Sequence, residues 1–196
     1  VDSLALIFAS TVGGMTESER FYQALKKDPG ILPRASQELS FHEPTAIAGF
    51  LARQIGATAF HCISTACSTG LHAIGMAHRF IQNGEYECCC ACGADVLSIL
   101  TIRGFASLML IDPKGCKPFD KRRIGISLGD GAGAITLASD DFCRRQGITP
   151  LAYVAGWGAS ADCHHMTAPH PDGAGARQAV DEALEDAHID SAAVDC

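Results

Sequence analysis

Apolar residues along the chain fall into two rhythms, with glycine marking most of the changes between them. Residues 4–10, 57–64, 86–94, 133–138 and 151–155 are short apolar runs and predict strands. Residues 17–27, 44–55, 67–82, 98–108 and 174–187 have helical character instead. Pro44 in a first turn and Gly56 just past a last one fit the preferences of helix ends. Strands alternating with helices predict a layered α/β fold. No repeat, low-complexity tract or linker divides the 196 residues, so one domain is the expectation.

Composition narrows the partners. A net charge of −7 argues against nucleic acid, which favours a basic face. No apolar run approaches the roughly 18 residues of a membrane span. The chain opens at Val1 and runs at once into apolar sequence, so no targeting peptide is legible. The expected compartment is the cytoplasm, with an organelle as the alternative.

Ten cysteines raise the question of a disulfide scaffold, but such scaffolds are short and poor in core. Reduced thiols fit better. In "YECCCACGAD" a strand puts Cys88, Cys90 and Cys92 on one face and Cys89 on the other. That splits the Cys89-x-x-Cys92 pair, whereas a zinc knuckle needs both sulfurs on one side of a tight turn. Neither metal nor cofactor is expected, and these cysteines read as small core hydrophobes. A cysteine-rich metal or redox module is the competing class. In "DPKGCKPFDKRRIG" the cluster Lys114, Lys117, Lys121, Arg122 and Arg123 reads either as a solvated face or as a docking surface.

Cys67 is placed differently. It stands where "ATAFHCIS" gives way to "CSTGLHAIGMAHRFIQNG", at or near the first turn of a helix. Unpaired N–H groups there stabilise a thiolate, and the same groups can hold an oxyanion on an attacked carbonyl. Gly70, Ala73, Gly75 and Ala77 with Leu71, Ile74, Phe80 and Ile81 predict a helix buried on most sides. Such a site suits acyl transfer with water excluded. The plain alternative is a structural thiol.

A cysteine nucleophile needs a partner, and histidine is the usual one near neutral pH. His61 and His72 read as satisfied core imidazoles, and His42, His78, His170 and His188 as ordinary surface or cap residues. In "GWGASADCHHMTAPHPDG" a glycine-rich turn delivers His164 and His165 into a loop, where function tends to sit.

These motifs together resemble the β-ketoacyl-[acyl carrier protein] synthases, the condensing enzymes of fatty acid and polyketide synthesis. "STACSTG" is similar to the family's active-site cysteine motif, "CKPFDKRRIG" to its Pro-Phe-Asp loop and "GDGAGAITLAS" to its glycine-rich segment. "HHMTAPHPDG" resembles the loop bearing its first catalytic histidine. Ser68 and the stretch Ile124-Gly125-Ile126-Ser127 depart from the usual forms.

The resemblance implies a thiolase-like layered α/β fold. Residues 1–196 would be most of the N-terminal half, with the opening strand and helix and the second half outside the chain. It implies that Cys67 takes the acyl group and that His165, rather than His164, donates to the malonyl thioester during decarboxylation. Val12 and Phe105 would line the acyl pocket. The implied partners are acyl carrier protein and a second copy, the homodimer joining through the strand after the cysteine helix. No second histidine motif follows, so this chain alone is expected to be acylated without condensing. The rival readings are a thiolase-type CoA-dependent condensing enzyme and a non-catalytic subunit of the chain-length-factor kind.

Overall fold

The structure is a computed structural model and describes residues 3–31, 38–165 and 168–195. Its order is β1 (Leu4–Ala9), α1 (Met15–Lys27), α2 (Pro44–Ile55), β2 (Ala59–Ile63), α3 (Thr69–Gln82), β3 (Cys88–Asp95), α4 (Ile99–Ser107), β4 (Gly131–Ala138), α5 (Asp140–Gln146) and α6 (Ala174–Ala187). Four strands make one mixed sheet in the order β2-β1-β3-β4, with β4 alone antiparallel.

Register decides what each face carries. Ala5, Ile7 and Ala9 of β1 turn one way with Cys89 and Ala91 of β3 and Leu137 of β4. Against them α3 sets Ala73 and Ala77, both almost wholly buried. Small side chains on both surfaces let the helix lie close to the sheet, and close packing is what core stability requires. Leu6 and Phe8, also fully buried, turn to the opposite face. There α2 packs so tightly that a Cβ on Gly49 would lie 3.3 Å from the Phe60 ring. Leu4↔Cys88, Leu6↔Cys90 and Phe8↔Cys92 pair in parallel, so Cys88, Cys90 and Cys92 share that face and Cys89 joins the α3 core.

Several expectations need correction. Residues 151–155 form no strand, and Leu151 is fully exposed. The segment just beyond is committed to α6 instead. The Trp157 N–H donates to Asp186, the Ala159 N–H to Glu182, and the Ser160 hydroxyl to the Gly175 carbonyl. Gly156 and Gly158 lie against the α6 backbone with no room for a Cβ. A backbone held by helix side chains cannot also satisfy a ladder. α3 starts at Thr69 rather than at Cys67, because Ala66 takes φ 54° and breaks the helical path. α3 is also open on one flank, with Leu71 69% exposed. α5 was not foreseen; Ser139 caps it by accepting the Phe142 N–H, and Gly147 closes it at φ 65°. β3 has both edges paired, so it cannot join a second subunit's sheet edge to edge. Among the described residues no helix is long and apolar enough to cross a membrane.

His78 is the other correction, since it is buried in the junction between α3 and α6. Its Nε2 lies 3.7 Å from Asp186, whose other oxygen accepts from Arg79 at 2.7 Å. Burial pushes the His78 imidazole below its ordinary value, more than the Asp186 charge raises it. The Trp157 N–H and then Arg79 hold the Asp186 carboxyl below the usual carboxylate range. Both folded-state values are depressed, so both groups contribute stability at neutral pH and lose it as pH falls through those values. Emission from Trp157, the one tryptophan, should therefore shift to the red in two stages on acidification. The first begins below about pH 6.5 and the second falls in the carboxylate range near pH 4 or lower. His78→Gln should remove the first stage only.

Candidate active site

Cys67 is exposed two residues before α3 begins. Ala66, immediately before it, sits in the left-handed region, which costs an L-residue about 1–2 kcal/mol. Local hydrogen bonds hold that turn. The Thr65 N–H donates to Thr69 Oγ1 at 2.8 Å, the Ser68 hydroxyl to the Thr65 carbonyl at 2.8 Å, and the Thr69 N–H to the Ala66 carbonyl at 3.1 Å. Ser68 spends its hydroxyl there and does not cap α3. His72 braces the same turn, with Nδ1 3.1 Å from the Ser68 carbonyl and its ring edge-on to Trp157. A carbonyl only accepts, so His72 carries its hydrogen on Nδ1.

The turn opens into a cavity of about 420 Å³. Cys67, Thr69 and Gly70 form one wall, and the ends of β1 and β3 form another with Ser10, Thr11 and Asp95. The carboxyl ends of parallel strands are where open α/β sheets place their sites. The glycine-rich segment 129–133 completes the lining. A Cβ on Gly129, Gly131 or Gly133 would touch nothing, so packing does not require glycine there, and its absence of a side chain keeps the cavity open. A second cavity of about 380 Å³, apolar and lined by Ala73, Ile74 and Ile135, shares Gly70, Gly93 and Gly133 with the first.

Asp95 is the residue that sequence reasoning missed. Its carboxylate accepts from the Ser10 hydroxyl at 2.8 Å, the Thr11 hydroxyl at 2.8 Å, the Thr11 N–H at 2.9 Å and the Val12 N–H at 3.1 Å. Burial alone would raise this carboxyl, but those hydrogen bonds outweigh it and hold it below the usual range. The only local signal was an acid ending an apolar strand.

The other candidates are placed separately. Val12 is half-buried one residue beyond the cavity wall, with its N–H on Asp95. Phe105 is half-buried on α4, whose first turn is held by the Ser98 side chain and by Glu19 accepting the Ile99 and Leu100 N–H groups. His165 is exposed in the loop before α6 and accepts the Ala168 N–H on Nδ1 at 3.2 Å. An Nδ1 that accepts puts the hydrogen of a neutral ring on Nε2. His164 packs against His170, with ring centroids 4.8 Å apart. His165 and Phe105 are not among the residues forming the Cys67 cavity wall. Met166 and Thr167 of the histidine motif lie outside the described residues. In the basic loop, Lys117 is tied to buried Asp112 at 2.6 Å and Arg122 to Asp120 at 3.0 Å, while Phe119 is 98% exposed.

Comparison with known proteins bears on this arrangement. Residues 3–142 match the beta-ketoacyl synthase N-terminal domain. The chain belongs to the beta-ketoacyl synthase family. Residues 151–196 match the family's C-terminal domain. The 3-oxoacyl-[acyl-carrier-protein] synthase 2 of Vibrio cholerae is 34% identical over 199 residues, covering 95% of this chain and 47% of that protein. The Vibrio harveyi protein of the same name is 40% identical over 134 residues, covering 65% of this chain and 32% of that one. A crystal structure of a beta-ketoacyl synthase from Burkholderia phymatum superimposes with a TM-score of 0.86 at 26% identity, covering 98% of this chain and 48% of that one. The chain thus spans about half, or less, of the length of these relatives. This likeness identifies the mixed sheet with its helices as the ketosynthase fold.

Two outcomes are expected at the site. Burial pushes the Cys89 thiol up to about 12 and Cys92 to about 11, with neighbouring thiols adding to both, and it raises Cys88 as well. Cys67, Cys116 and Cys163 are exposed. Brief iodoacetamide treatment at pH 8, followed by peptide mass spectrometry, should mark these three and reach Cys88, Cys89 and Cys92 only after denaturation. Ala66→Gly should relieve the left-handed strain and raise stability by up to about 1 kcal/mol in a urea titration.

Proposed function

We propose that the protein carries out decarboxylative condensation of an acyl group with a malonyl unit delivered on acyl carrier protein, in fatty acid or polyketide synthesis. The observation that carries the reading is Cys67, exposed on a strained turn at the amide end of α3 and in the wall of a cavity at the strand ends. Family membership and the activity named for the Vibrio relatives support the substrate class.

In this reading the Cys67 sulfur attacks the acyl thioester carbonyl, and N–H groups at the start of α3 face the oxyanion that forms. The carrier thiol leaves, and the acyl group stays on Cys67. A malonyl thioester then loses carbon dioxide, and the electron pair of the broken C–C bond becomes an enolate. That carbanion equivalent attacks the acyl carbonyl, a new C–C bond forms, and the Cys67 thiolate departs. His165 is assigned the thioester oxygen during decarboxylation, which its Nε2 hydrogen suits. Val12 and Phe105 are assigned to the acyl pocket. The partner is acyl carrier protein, for which the basic loop offers Lys114, Lys121 and Arg123. A homodimer belongs to the same reading; if it joins sheets, it uses the free edge of β2 or β4. The cytoplasm is the compartment that suits reduced thiols.

The two half-reactions test this separately. Cys67→Ser should abolish the acyl adduct seen by intact mass after incubation with an acyl carrier thioester. In the full-length protein, His165→Ala should leave that adduct but slow carbon dioxide release from the malonyl thioester by about 100- to 1000-fold. Absence of an adduct on wild-type Cys67 would refute the function. Undiminished decarboxylation in His165→Ala would refute only the histidine's role and pass it to His164.

A further inference from the structure

The loop between β1 and α1 runs from Ser10 to Gly14, with no ladder or helix of its own to satisfy its backbone. Its main-chain and side-chain donors converge on one acceptor. Both Asp95 oxygens are used: Oδ1 takes the Ser10 hydroxyl and the Thr11 and Val12 N–H groups, and Oδ2 takes the Thr11 hydroxyl. Ser10, almost wholly buried, in turn accepts the Gly13 N–H on its own hydroxyl oxygen at 3.0 Å. At the other end, Gly13 sits at φ 52° with its Cα so near the His42 carbonyl that a Cβ would lie 2.6 Å away. The loop is therefore fixed at both ends, and Asp95 makes the tie that faces the cavity.

Asp95 is itself fixed. β3 ends at this residue, and the Leu97 N–H that follows donates to Asp130 of the glycine-rich segment. Asp95, Asp130, Ser10 and Thr11 all line the cavity that contains Cys67. A shift of the Asp95 carboxylate would move the Thr11 and Val12 backbone relative to the sulfur.

We infer that Asp95 is a positioning residue that holds the Ser10–Val12 loop as the wall opposite Cys67 and so sets which acyl groups Cys67 accepts. The inference rests on the proposed acyl transfer. Asp95 touches no reacting atom in it. Its carboxylate presents acceptors only, which is what a loop of converging donors demands, whereas an amide keeps one acceptor oxygen, puts an NH2 toward the Thr11 hydroxyl and loses the charge that strengthens the whole set.

Asp95→Asn keeps the shape and breaks this match. Initial rates of acylation of Cys67 would be measured with acetyl, octanoyl and palmitoyl carrier thioesters, beside alkylation of Cys67 by iodoacetamide, which needs no acyl pocket. The ratio of octanoyl to acetyl kcat/KM is expected to change by about tenfold, mainly through KM, because hydrogen bonds to a charged acceptor are lost. Alkylation should stay within about twofold of wild type; a simple loss of folded protein would lower every rate together. Thr11→Val, which removes one hydroxyl from an exposed residue, should shift the ratio in the same direction by less, and decides the matter if Asp95→Asn does not fold. An unchanged ratio, or a uniform loss across acyl groups and iodoacetamide alike, overturns the role of Asp95 while the proposed function stands. Wild-type protein that takes up no acyl group from any of the three thioesters overturns the function and this inference with it.

Discussion

The close approach of α3 to the sheet is the constraint on which the rest of the structure depends. Ala73 and Ala77 share a core with Ala5, Ile7, Ala9, Cys89, Ala91 and Leu137, so the helix lies against three strands with little between them. Larger side chains at those places would push the axis outward, and its first turn would leave the strand ends. Because the helix lies low, the chain leaving β2 has only residues 64–68 in which to turn back, and Ala66 absorbs that demand in the left-handed region. The exposed cysteine follows from that geometry. Trp157 fills the space that Gly75 leaves on the helix and packs edge-on to His72, so the turn is supported from behind as well.

Carboxylates serve this acidic chain mostly as acceptors for loop backbone. Asp95 takes the loop after β1, Glu19 the start of α4, Asp130 the exit of β3, and Asp186 and Glu182 the segment before the histidine loop. Each of these segments lacks a ladder, and unpaired buried N–H groups are costly. A hydrogen bond to an ionised acceptor is stronger than one between neutral groups, so a single side chain can hold two or three donors. The excess of acids over bases is thus partly structural. It also explains why the cavity wall is electronegative at Asp95 and Asp130 while the Cys67 wall carries the amide end of a helix.

What could be read in advance was local. α2 and α6 were foreseen to the residue; Pro44 and Gly56 mark the ends of α2, and the structure closes α6 with Gly173 and His188, which like Gly56 take positive φ. Cys67 was legible for the same reason, as its strand, turn and helix lie within about twenty residues. Asp95 was not, since its partners stand 83 to 85 positions earlier. His78 was misread because Asp186 lies on another helix far along the chain. The run at 151–155 is as apolar as a strand needs, but α6 claims the backbone next to it. α5 had every end signal, with Ser139, two acids, two arginines and Gly147, and was lost to its shortness.

The same residue type therefore stands in opposite surroundings at two places in one fold. Cys88, Cys89 and Cys92 lie on a central strand with neighbours on both edges, where burial disfavours the thiolate and each thiol penalises ionisation of the next. Cys67 lies where the sheet ends and the chain must reverse, outside both layers of packing. Counting cysteines cannot separate these cases, and neither can their spacing. What separates them is how far the surrounding backbone has spent its donors: a paired strand engages its N–H groups in ladders, whereas the first N–H groups of a helix lack intrahelical partners, although at α3 that of Thr69 is taken by the Ala66 carbonyl. In the proposed reading, the nucleophile that carries negative charge and then stands beside an oxyanion takes the second kind of position.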